Sequence, residues 1–230
     1  MGQLIKGVVL DLDDTLYLER DYVRSGFSHI AVYLEERGVA SAAEIVDFLW
    51  SGFEGGQRGH AFDSLVERWP QVSEVEKVEA LVDRYRQHLP SIDLLEPLAL
   101  AELLDRHLVV GLISDGWASA QRAKLKALGI EDCFGSVVLT GDWGVGYGKP
   151  HHRAFIAIEQ ASSLSGPELV YVADNPSKDF IGPNERGWLS WRIRMPGQLH
   201  EDWEPEDSAS APTLELASLQ DVAVASQSYG

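Results

Sequence analysis

Apolar positions along the chain fall into two patterns, and the change between them sets the expected architecture. Residues 5–11, 108–114, 136–140, 169–174 and 189–195 read as short buried strands. The first four are near-continuous apolar runs rather than alternating ones, the pattern of parallel strands covered on both faces. Helical stretches lie between them, for example 119–128, ending at Gly129, and 151–163. The β-then-α rhythm predicts an α/β fold on an open, doubly wound, mainly parallel sheet.

The rhythm is interrupted once. From about residue 18 to 95 no segment reads as a strand. Helical patterns take over at 21–36, closed by Gly38, at 42–50, at 62–68 and at 74–88, ended by Pro90. A Gly-rich connector, 51–59, divides this block. The expected organisation is a core from residues 1–16 and 96–230, with 17–95 inserted as an all-helical domain. After Pro196 the chain has acidic residues but no Lys or Arg. "EDWEPEDSASAP" (201–212) reads as a mobile loop. "TLELASLQDVAVA" (213–225) reads either as a last short strand and helix or as a disordered, solubilising end.

Composition narrows the function classes. The 230 residues are 45% hydrophobic and 24% charged, enough for a true core and against global disorder. A formal net charge of −17 argues against nucleic acid or an anionic membrane as partner, since both need a basic face. The single cysteine, Cys133, excludes an intramolecular disulfide and a cysteine-rich metal site. No run approaches the length of a membrane span, and no basic-then-apolar leader precedes the first strand, so the expected compartment is cytoplasmic.

In open α/β sheets the reactive groups gather at the carboxyl ends of the strands. The first strand ends in Asp11, Asp13 and Thr15, and the second in Ser114-Asp115-Gly116. The third leads to Gly148-Lys149-Pro150, and the fourth ends in Asp174-Asn175 with Asp179 beyond. Asp11 and Asp13, two apart in an extended segment, fall on one side. With Asp174 they surround one point, a natural site for a hard octahedral cation, Mg²⁺ above all. Ser114 and the amides of Asp115 and Gly116 suit phosphoryl oxygens, and Lys149 supplies a fixed positive charge. One carboxylate then attacks phosphorus in line, while another protonates the leaving oxygen and later activates water.

"DLDDT", "LISDG", "GKP" and "VADNPSKD", in that order and each at or beyond a strand end, resemble the four motifs of the haloacid dehalogenase superfamily. The resemblance spans roughly residues 5–15 and 108–190. It implies Asp11 as the nucleophile that becomes aspartyl-phosphate, and Asp13 as general acid/base that lends its main-chain carbonyl to Mg²⁺. It implies Thr15 steadying the first motif as part of the phosphate site, Ser114 binding phosphate, Lys149 orienting nucleophile and phosphate, and Asp174 and Asp179 serving the metal. The helical insertion matches the family's first cap position. Asp13 points to a phosphatase, because a halide leaving group needs no proton. The chain departs from the common pattern at Ala173, Ser114 and Asp115, where many members carry Gly, Thr and Asn. The last motif is similar to that of members acting on nucleoside monophosphates and sugar or sialic-acid phosphates. The expected partner is a small phosphorylated metabolite. A phosphoryl-transferring mutase, a dehalogenase and a non-catalytic binding protein are the alternatives on this scaffold.

Other residues carry plainer expectations. Asp14 points away on the pleat as a solvated or capping carboxylate. His151 and His152, adjacent and pointing apart, mark a helix start after Pro150 rather than a metal site. Tyr17, Arg20 and Arg24 lie near the hinge, within reach of an anionic substrate, with surface pairing the expected role of both arginines. Trp117 follows the second motif and reads as a packing residue by type, with a place facing the pocket as the alternative. The segment 51–60 is either a flexible connector or a substrate-reading loop presenting Phe53, Arg58 and His60.

Overall fold

The computed structural model describes residues 5–106 and 108–228. The chain parts into two compact units, residues 1–20 with 93–230, and residues 21–92.

The first unit is built on a six-stranded parallel sheet. Its strands are β1 (Gly7–Leu10), β2 (Val109–Ser114), β3 (Val137–Leu139), β4 (Leu169–Ala173), β5 (Leu189–Ile193) and β6 (Leu214–Leu216). Their spatial order is β3-β2-β1-β4-β5-β6, so the chain builds outward from β1 on one side and then returns to build on the other. That reversal lies between β1 and β4, paired in register as Val8↔Val170 and Leu10↔Val172. Ligands bind outside the carboxyl ends of strands at such a switch point. All four residues of β1 and all five of β4 are buried, which is why these segments read as continuous apolar runs.

Helices α6 (Pro97–Asp105), α7 (Ala118–Ala127), α8 (Arg153–Ser162), α9 (Ile181–Glu185) and α10 (Leu219–Ser228) cover the sheet. Val9, Ile113 and Tyr171 form one core cluster with Phe155 and Ile158 of α8 and with Trp188. Gly111 permits this approach, because a Cβ there would stand 2.5 Å from Ile158 Cδ1. Helix α6, with Pro at its first turn, had no counterpart in the sequence reading.

The C-terminal segment corrects the expectation of a mobile loop. Fully buried Arg192 donates to the carbonyls of Trp203 and His200, both at 2.8 Å. Asn184 Nδ2 donates to the carbonyls of Ala209 and Ala211, at 2.9 and 2.8 Å. Glu96 accepts from the amides of Leu219 (2.9 Å) and Gln220 (3.0 Å), capping α10. The acidic composition of 201–212 reports solvated side chains, whereas the backbone is pinned by groups from elsewhere in the chain.

The second unit is all helical: α1 (Glu19–Glu35, which begins in the first unit), α2 (Ala42–Glu54), α3 (Ala61–Arg68), α4 (Val72–Val75) and α5 (Val78–Gln87). A reciprocal capping box between Ser41 and Glu44 starts α2. Two expectations change here. The single helix over 74–88 is two, because Glu76 and Lys77 are extended. Glu76 accepts from the Tyr33 hydroxyl at 2.9 Å, a contact with no local sequence signal. The connector 51–59 begins inside α2, and Phe53 is buried edge-on against Phe27 rather than presented in a loop. Arg58 lies over the Phe53 ring and Arg24 over Trp50, while His60 is exposed.

Candidate active site

Asp11 and Asp174 each follow the last residue of adjacent strands, β1 and β4, and the Asp11 amide continues the ladder to Val172 O at 2.9 Å. Asp179 is brought to them by a turn in which Asn175 N donates to Asp179 Oδ2 (3.0 Å) and Asp179 N to Asn175 O (3.0 Å). Oxygens of Asp11, Asp174 and Asp179, all buried, lie within 4.8 Å of one another. Lys149 enters from the loop after β3. Its ammonium is 2.8 Å from Asp11 Oδ1, 2.8 Å from Asp179 Oδ1 and 2.9 Å from the Tyr171 hydroxyl.

Three buried carboxylates therefore face one buried ammonium. Burial pushes the Asp11 carboxyl up to about 7 against the pull of Lys149. Burial, with Asp179 and Asp11 nearby, also holds Asp174 well above the usual range. Burial alone would lower Lys149, but Asp11 and Asp179 outweigh it and raise it. Asp174 Oδ2 is buried with no hydrogen-bond partner. An unpaired buried carboxylate oxygen beside two further acids is a donor set suited to a hard divalent cation.

Asp13 faces the same cavity, about 220 Å³ in volume, yet its carboxylate is not one of the clustered three. The strand ends at Leu10, so the two-residue alternation used to place Asp13 beside Asp11 no longer applies. Its oxygens turn to protein donors: Lys124 Nζ (2.7 Å) and the Tyr17 hydroxyl on Oδ1, and Gln121 Nε2 (2.7 Å) on Oδ2. Burial pushes Asp13 upward, but Lys124 and these hydrogen bonds outweigh it and hold the carboxyl below its usual value. Asp179, not Asp13, completes the side-chain cluster.

Asp14 is buried rather than solvated. It takes a left-handed conformation (φ 53°), accepts from Glu19 N at the start of α1 (2.7 Å), and accepts from Leu199 N with its other oxygen (2.7 Å). The capping half of the expectation holds, and the second bond ties the C-terminal segment to the loop that carries Asp11 and Asp13. Thr15 is buried, with no hydrogen-bond partner for its hydroxyl.

The second strand tip presents Ser114, fully buried, whose Oγ accepts from Gln121 Nε2 at 2.6 Å. Asp115 braces the loop through its side chain: Oδ1 accepts from the Thr140 hydroxyl (2.8 Å) and Lys149 N (3.1 Å), and Oδ2 pairs with Lys178 (3.3 Å). Gly116 has φ 104°, which a side chain would strain. This edge thus unites Asp11, Asp13, Ser114, Asp115, Gly116, Lys149, Asp174 and Asp179.

A family model described as haloacid dehalogenase-like hydrolase matches residues 5–183. The chain belongs to that family. Over 228 residues it is 28% identical to the glyceraldehyde 3-phosphate phosphatase of Methanocaldococcus jannaschii, covering 95% of this chain and 97% of the relative. It superposes on a haloacid dehalogenase family hydrolase from Deinococcus radiodurans R1, solved with bound phosphate and sodium (TM-score 0.68, 20% identity, 99% and 97% of the two chains). It also superposes on the YfnB hydrolase from Bacillus subtilis, solved with magnesium (TM-score 0.62, 17% identity, 96% and 98% covered). The protein is a hydrolase of this family and has its α/β fold.

Several residues of this hydrolase's site escaped the sequence reading. Gln121 and Lys124 hold Asp13, and Tyr171 contacts Lys149. Glu19, Lys178 and His200 line the cavity. Burial and the nearby Asp13 push the Glu19 carboxyl up to about 7. The signal for Gln121 and Lys124 was their spacing, which puts an amide and an ammonium on one face of the helix after the second motif. Tyr17 is buried against Asp13 instead of reaching outward. Trp117 is 61% exposed and, with Asp115 and Gly116, lines a neighbouring cleft of about 360 Å³. His152 pairs with Glu185, and His151 Nδ1 accepts from Arg153 N, so both histidines flank the start of α8.

Among the described residues, no helix is long and apolar enough to cross a membrane.

Proposed function

We propose that this hydrolase cleaves small phosphate monoesters of the sugar-phosphate type through transient phosphorylation of Asp11. The observation that carries the reading is the buried Asp11–Lys149–Asp179 array beside the unpartnered Asp174 Oδ2. Lys149 holds Asp11 Oδ1, which leaves Oδ2 to attack phosphorus. Asp13, ionised before substrate binds, takes up a proton as the phosphate dianion enters beside it. It gives that proton to the departing alkoxide, then takes one from the water that attacks the acyl phosphate. Inorganic phosphate leaves and Asp11 is regenerated. Ser114 and the Asp115 and Gly116 amides hold phosphoryl oxygens, and the buried, unpartnered Thr15 hydroxyl is available to the same group.

Asp11, Asp174, Asp179 and the main-chain carbonyl of Asp13 would hold Mg²⁺, and the donor set fits it, since Asp174 Oδ2 lacks any other partner. Bound there, the cation would offset the repulsion among the carboxylates and draw charge from the phosphoryl group. Asp13 supports an oxygen leaving group over a halide. The cavity of about 220 Å³ and the relative named for glyceraldehyde 3-phosphate both support a short substrate over a large one.

The test is a panel of short sugar phosphates, nucleoside monophosphates and other small esters, assayed with Mg²⁺, with Asp11→Asn as control. Turnover of the short phosphates, absent in Asp11→Asn, is the expected result. Undiminished phosphate release by that variant would overturn the mechanism.

A further inference from the structure

Asp13 is gripped from behind by two side chains of one helix. Gln121 and Lys124 lie three residues apart on α7, so they share a face, and both are buried. Lys124 Nζ donates to Asp13 Oδ1 at 2.7 Å. Gln121 Nε2 lies 2.7 Å from Asp13 Oδ2, 2.6 Å from Ser114 Oγ and 2.6 Å from Asp115 O. A carboxylate and a carbonyl only accept, which turns the amide NH₂ toward them, with Ser114 Oγ sharing one of its two hydrogens. Receiving that bond leaves the Ser114 hydroxyl hydrogen free to point at another acceptor. Neither Gln121 nor Lys124 lines the cavity that Asp13 faces. Burying an amide and an ammonium in a helix–sheet interface opposes folding unless they are satisfied, and apolar side chains would pack that interface with less penalty.

We propose that Gln121 and Lys124 are positioning residues that aim the Asp13 carboxylate at the leaving-group oxygen. The inference rests on the phosphatase reading, in which Asp13 exchanges a proton with the departing alcohol. Efficient proton transfer needs donor and acceptor held within hydrogen-bond reach. With one oxygen held by Lys124 and Tyr17 and the other by Gln121, the carboxylate has a single orientation.

The leaving group distinguishes this role from a structural one. A p-nitrophenolate departs without a proton, whereas an alkoxide does not. Leaving-group release in the first turnover would be measured by rapid quench for p-nitrophenyl phosphate and for glycerol 3-phosphate. Lys124→Met, Gln121→Leu, Lys124→Arg and Asp11→Asn would be compared with the unaltered protein. Lys124→Met and Gln121→Leu are expected to slow the alkyl ester about 100-fold and the aryl ester no more than about threefold. Lys124→Arg, which keeps charge and donors, is expected to recover part of the alkyl rate. Equal slowing of both esters, or none of the alkyl ester, would overturn the inference. Should Lys124→Met fail to give a cooperative thermal transition, Gln121→Leu decides alone. Asp11→Asn separates the two levels, because activity surviving in that variant defeats the phosphatase mechanism itself.

Discussion

The ammonium of Lys149 lies 2.8 Å from Asp11 Oδ1, and neither side chain is more than 5% exposed. The same ammonium reaches Asp179 Oδ1, so one cation holds two acids in place across the sheet switch point. Replacing Lys149 with Met strands those carboxylates beside Asp174. Breaking such a pair from one side costs about 3–5 kcal/mol. Urea denaturation of metal-free protein at pH 7 should show a loss of that order, together with loss of turnover. A variant as stable as the unaltered protein would show that the pair contributes nothing.

Asp174 has the opposite thermodynamic sign. Its carboxyl is raised well above the ordinary aspartate range by burial, Asp179 and Asp11. Between its unfolded and folded values the folded state therefore binds the extra proton, so its contribution to stability is full at low pH and is lost as pH rises. Metal-free Asp174→Asn should become progressively more stable than the unaltered protein from about pH 4 upward. Added Mg²⁺ should stabilise the unaltered protein at neutral pH and should stabilise the variant much less. A stability difference independent of pH and of Mg²⁺ would contradict this assignment.

Asp14 joins three parts of the chain that the sequence does not connect. Its two carboxylate oxygens cap α1 and hold Leu199 N, and its carbonyl accepts from Gln198 Nε2 at 2.6 Å. Asp14→Ala removes the cap, worth about 1 kcal/mol, and a charge-assisted bond worth about 1.5–3 kcal/mol. The expected loss is therefore about 2.5–4 kcal/mol by chemical denaturation. Proteolysis should also become faster within 196–204. Protection of that segment equal to the unaltered protein would show that Asp14 does not anchor it.

The strand tips were legible because parallel buried strands announce themselves as apolar runs, and each tip carries its chemistry in the next residue or two. Asp11, Ser114 and Asp174 follow from that rule alone. Asp13 was placed by strand alternation, which fails once the strand ends at Leu10. The grip on Asp13 by Gln121 and Lys124 spans more than a hundred residues, and only folding brings those partners together. Glu76 breaks a helix without Gly or Pro, through a distant Tyr33, so periodicity ran straight across it. Residues 201–212 looked solvated because their side chains are, while Arg192 holds the backbone through carbonyls that composition does not reveal. A charged residue inside an apolar strand was the available clue, since a buried guanidinium must find acceptors.

The most direct test of the mechanism is to look for the phosphoryl group on Asp11. The protein with Mg²⁺ and a short sugar phosphate would be quenched in acid within the first turnover and digested, and its peptides read by mass spectrometry. A phosphoryl adduct on Asp11, absent from Asp11→Asn and from samples quenched after the ester is exhausted, is the expected result. Rapid ester cleavage with no adduct at any time, or an adduct on a different residue, would contradict the account.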